Sequence, residues 1–92
     1  MSYAVQTLYL VRKGPRNLGN TLGRLAVDLD LSVMRIAKAS GATRQTVYNW
    51  MFGGEVMGPY RPTVERLIDI MKKAPNADKA WEKICQEFNL QA

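Results

Sequence analysis

Residues 32–52, SVMRIAKASGATRQTVYNWMF, read as two short helices meeting at a sharp turn. Ser32 is a good N-cap for the first, which runs to about Ser40. Val33 and Ile36-Ala37 lie on one of its faces. Gly41 stands where the chain must change direction, and the Thr43 hydroxyl can cap the second helix, Arg44 to about Phe52. Val47 and Trp50-Met51 share one face of that helix, so a 3.6-residue period holds on both sides of the turn. Arg44, Gln45, Tyr48 and Asn49 are left facing outward. Arg, Gln and Asn carry the donor and acceptor geometry that fits base edges in the major groove of DNA.

The segment resembles the helix-turn-helix of phage Cro/CI-type repressors, a lambda-repressor-like DNA-binding domain. The match is tight from Val33 to about Gly53 and extends in outline over residues 17–72. Small Ala37 sits where that family brings two helices close together, Gly41 at its turn glycine, and Val47 and Trp50 at its two buried positions in the recognition helix. The resemblance implies sequence-specific binding of double-stranded DNA by a repressor-like transcriptional regulator. The first helix would lie across the backbone and the second would enter the major groove, N-terminal residues nearest the bases. Arg44 and Gln45 are then the leading base readers, Asn49 the next, and Tyr48 a contact to a thymine methyl or a phosphate. Thr43 and Thr46 are phosphate or capping hydroxyls, and Arg35, Lys38 and Arg61 are expected phosphate contacts. The loop holding Arg61, residues 53–61, is longer than most in the family and contains Glu55.

The charge distribution agrees with that expectation. Residues 1–52 carry Arg12, Lys13, Arg16, Arg24, Arg35, Lys38 and Arg44 against Asp28 and Asp30, while residues 53–92 balance. The whole excess of +5 therefore lies in the half that contains the motif, as a phosphate-facing surface requires. A plain solvated basic surface is the competing reading.

Ninety-two residues make one small domain, 1–92, and 47% apolar content argues against disorder. No apolar run approaches the roughly 20 residues of a membrane span. The start, MSYAVQTLYLVRK, lacks a basic region ahead of its apolar stretch, against a secretory signal. One cysteine and no histidine weaken any disulfide or zinc proposal. A cytoplasmic protein, in a bacterial host or on its nucleoid, is expected.

The expected fold is all-α: a five-helix lambda-repressor-like helix-turn-helix domain with an N-terminal extended strand or arm (1–14). Residues 3–12, YAVQTLYLVR, are rich in Tyr, Val, Leu and Thr and stop at Lys13-Gly14-Pro15, which favours a strand; imperfect alternation leaves a helix as the alternative. The other helices are about Leu18 to Leu29, one opening at Pro62 with Val64, Leu67, Ile68 and Met71 inward, and a C-terminal helix (within 76–90) from about Ala77 to Phe88 with Trp81, Ile84, Cys85 and Phe88 on one face. Gly19 and Gly23 weaken the helix that holds them by roughly 1 kcal/mol each, unless they permit close packing.

An enzyme is not expected, nor a cofactor or small-molecule ligand. The chain has no histidine for acid–base work, no glycine-rich phosphate loop and no plausible carboxylate pair. A stronger alternative is a small protein-binding module that uses the helix-turn-helix scaffold to modulate a polymerase or host factor, through Val56, Met57 and Tyr60 in the long loop. One recognition helix covers few base pairs, so a homodimer is expected, paired through the arm or the C-terminal helix.

Overall fold

The computed structural model describes residues 3–90. The chain forms α1 (Val5–Lys13), α2 (Leu18–Leu29), α3 (Val33–Ser40), α4 (Arg44–Met51), a 3-10 turn (Gly58–Tyr60), α5 (Arg61–Lys73) and α6 (Ala77–Phe88). Among the described residues there is no strand. The fold is all-α, and the expected N-terminal strand or arm is α1 instead. A lone strand there would need a partner for its backbone groups, whereas a helix satisfies them internally. Arg12 and Lys13 close α1 at its negative end, and Val11 is buried on its inner side with Leu8 packed nearby. Ahead of it Tyr3 is also buried and donates its hydroxyl to the Leu31 carbonyl. The segment is thus anchored to the chain's own core through Tyr3 and Val11 and offers no strand edge to a partner.

Four of the described helices, α2, α3, α4 and α6, open on a side-chain cap. Asn17, Ser32, Thr43 and Asn76 each accept from the backbone N–H three residues on, at 3.0, 3.3, 3.1 and 2.9 Å. Such a cap is worth typically about 1 kcal/mol. Gly41 ends α3 at φ 76°, and a Cβ there would meet nothing within 4 Å. Its glycine is therefore required by the left-handed backbone and not by crowding.

Helix α2 is the spine against which α4 and α5 pack. Gly19 and Gly23 face α4: a Cβ would lie 2.6 Å from the Trp50 carbonyl oxygen at the first and 2.8 Å from Met51 Cβ at the second. The two glycines permit this close approach of helices. Leu22, Leu31, Ile36, Val47, Trp50, Met51, Leu67, Met71 and Ile84 form the centre of the core. Cys85 is a buried thiol packed as a small hydrophobe.

Asn20 is fully buried in this apolar setting, and every polar atom of its amide is used. Its Nδ2 donates to the carbonyls of Val11 and Met51, each at 2.8 Å, and its Oδ1 accepts from Arg24 Nε at 2.7 Å. Those carbonyls belong to the last turns of α1 and α4, where helices leave acceptors unpaired. Asn20→Ala should destabilise the fold by at least the roughly 1–3 kcal/mol of an unsatisfied buried group. Urea unfolding followed by circular dichroism checks this; an unchanged midpoint would contradict the role given to Asn20.

Candidate nucleic-acid interface

The α3–Gly41–α4 unit sets the orientation of α4. Val47, Trp50 and Met51 anchor its inner face, and the Trp50 ring packs against Tyr60 with centroids 5.2 Å apart at 60°. With that side fixed, Arg44, Gln45 and Asn49 are exposed on the outer side, and Tyr48 is half-buried between the two. Gln45 Nε2 donates to Asn49 Oδ1 across one helical turn at 3.2 Å. This bond aligns the two amides and leaves the Gln45 carbonyl and the Asn49 amide N–H groups outside it. The Tyr48 ring stacks on Phe52 at 5.9 Å and 29°. The four residues expected to read bases therefore share one helix surface, the amides already coupled.

The residues expected on phosphates are more dispersed. Thr43 is exposed at the head of α4, where its hydroxyl both caps the helix and donates to Thr46 Oγ1 at 2.9 Å. Thr46 is half-buried and lines a groove with Asn49, Glu55, Met57 and Tyr60. Lys38 is exposed on α3, and Arg61 is exposed at the first position of α5, beside Asn17, Gly53 and Glu55. Arg35 is turned toward α6: its guanidinium lies 5.2 Å from the centroid of the Trp81 ring and 3.7 Å from Asp78.

Sequence reasoning missed two groups beside α4. Tyr3, Ser32 and Met34 share a small depression of about 180 Å³ with Arg44 and Tyr48. Burial pushes the Tyr3 phenol well above its ordinary range, so it remains a neutral donor to Leu31. Glu55 and Met57 flank Thr46 and Asn49 on the other side. The loop also differs from expectation. Val56 is buried and Tyr60 packs on Trp50, which leaves Met57 as the exposed apolar side chain of the three. A valine within reach of the core gains more by folding inward than by lining the surface.

No helix of the described residues is long and apolar enough to cross a membrane, and among them no group of three His, Cys, Asp or Glu is placed to hold a metal ion. No family model, curated protein or solved structure matches the chain.

Proposed function

We propose that this chain is a sequence-specific double-stranded DNA-binding protein, a repressor-like transcriptional regulator of the phage Cro/CI type with a lambda-repressor-like domain in α2 to α6. The observation that carries the reading is the two-sided α4. One side is locked by Val47, Trp50 and Met51, and the other presents Arg44, Gln45 and Asn49 just after the Gly41 turn. Side chains held this way can enter the major groove without loss of the fold. Arg44 suits a guanine edge, and the coupled Gln45–Asn49 amides suit adenine. Thr43, Thr46, Lys38 and Arg61 serve the backbone; Arg35 does so only if it leaves Asp78 and Trp81.

The protein acts in the cytoplasm as a homodimer on an inverted repeat, with half-sites about 34 Å apart. The outer face of α1, where Val5 is 82% and Tyr9 58% exposed, is better suited to pairing than α6, whose Trp81 and Ile84 are spent on the chain's own core. The protein-binding alternative loses two of the three loop residues that suggested it, since Val56 is buried and Tyr60 packs on Trp50.

Duplex affinity measured across salt concentrations tests the reading. Lys38→Ala and Arg61→Ala should weaken binding to all duplexes about equally, each lowering the slope of log K against log salt by roughly 0.9. Arg35→Ala should change the slope less than either. Salt-independent binding, or wild-type slopes in both variants, would contradict the phosphate assignments.

A further inference from the structure

Four cations on α3, α5 and α6 are paired with acids. Arg66 is forked onto Glu87 and reaches Asp69 at 2.5 Å, Lys73 lies 3.5 Å from Asp69, Lys79 3.6 Å from Glu82, and Arg35 3.7 Å from Asp78. Between α1 and α2 the pattern is different. A cleft of about 440 Å³ opens there, lined by Val11, Arg12, Arg16, Arg24, Val27 and Asp28. Among the described residues no carboxylate lies within ion-pair distance of Arg12, Arg16 or Arg24, although Asp28 stands at the same cleft.

Arg24 is the fixed member of this group. Its Nε donates to Asn20 Oδ1 at 2.7 Å and its Nη2 to the Arg12 carbonyl at 2.8 Å. Both acceptors are neutral, and Asn20 is itself locked between α1 and α4. The guanidinium is therefore held in place without being neutralised, and the rest of its fork remains for another acceptor. Gathering three such groups at one cleft costs mutual repulsion, which an anion with several oxygens relieves. The planar fork of arginine matches phosphate oxygens in a way lysine does not.

The cleft is also set apart from the base-reading surface. The segment between α1 and α2 is fastened to the far end of α4: Asn17 Nδ2 donates to the Gly53 carbonyl at 2.7 Å, and a Cβ on Gly14 would lie 2.8 Å from the Phe52 carbonyl oxygen. Arg44 stands at the opposite end, about 12 Å away along an eight-residue helix.

We propose that Arg12, Arg16 and Arg24 form a second phosphate-binding cleft, separate from the reading surface of α4, that takes the phosphodiester backbone of nucleic acid. The source of the phosphate rests on the DNA-binding reading; the arginine cleft itself does not. Contacts of this kind add affinity and carry no sequence information.

The test uses the full chain and the variant Arg12→Ala/Arg16→Ala, which leaves Arg24 and its bonds to Asn20 intact. A random-sequence duplex is titrated across salt, and the arginine Nε–H signals are followed by NMR with that duplex and, separately, with inorganic phosphate. The double variant should lower the salt slope by about 2, reduce affinity for all duplexes by the same factor and keep the preference for any selected site. The Arg24 signal should move with duplex in wild type and in Arg44→Ala alike. Wild-type duplex binding by the double variant, with an unmoved Arg24 signal, would overturn the cleft and leave the reading of α4 standing. An Arg24 signal that moves with inorganic phosphate in a protein that binds no duplex would overturn the phosphodiester assignment and the DNA reading together. No response to either ligand would overturn the cleft outright.

Discussion

Trp50→Ala should remove roughly 3–5 kcal/mol of folding stability, the cost of truncating a large buried aromatic side chain. Trp50 is 2% exposed and joins α4 to α2 on one side and to Tyr60 on the other. The upper part of that range is expected because the site cannot collapse. Gly19 already brings the α2 backbone against Trp50 Cα and Cβ, where a further Cβ would sit at 2.9 Å. The helices have no room to move closer, so the indole's volume stays as a cavity. A domain of this size holds about 5–15 kcal/mol in all, and the melting temperature should fall by more than about 12 °C. Thermal and urea unfolding by circular dichroism checks it. A loss below about 1 kcal/mol would mean that Trp50 does not hold α4 in place.

Arg44→Ala and Gln45→Ala should each weaken binding at the specific DNA site by about 1–3 kcal/mol and relax the preference at one base position. Both residues are exposed at the N-terminal end of α4, the part of a recognition helix nearest the bases. The two effects differ in kind. Arg44 acts alone, so its loss should affect a single guanine position. Gln45 donates to Asn49, so its loss also frees the Asn49 amide to turn. Gln45→Ala and Asn49→Ala should therefore be less than additive, as for groups that act in one network. Competition between specific and shuffled duplexes measures this. Full selectivity in both Arg44→Ala and Gln45→Ala would dismiss α4 as the reading element.

The five helices from Leu18 to Phe88 were legible because each carries its signal locally. Apolar residues recur at 3.6-residue spacing, and Ser32, Gly41, Thr43 and Pro62 mark ends, whereas the caps at Asn17 and Asn76 emerge only in the structure. The segment Val5–Lys13 was not legible in the same way. Nine residues rich in Tyr, Val and Leu fit both periods, and the choice is made by what Tyr3 and Val11 can bury against. Asn20 was invisible as a core residue because its partners are carbonyls 9 and 31 positions away. Asp78 and Trp81 hold Arg35 from another helix, which no local pattern announces. Of the set expected to face outward, Arg44, Gln45 and Asn49 are exposed, while Tyr48 is half-buried, because its ring stacks on Phe52.

Selection of bound sequences from a random duplex pool tests the central claim most directly. Enrichment of an inverted repeat with half-sites about one DNA turn apart is expected, with relaxed preference at one position of each half-site when the selection is repeated with Gln45→Ala. A wild-type pool that shows no enriched sequence over the starting material would contradict that claim.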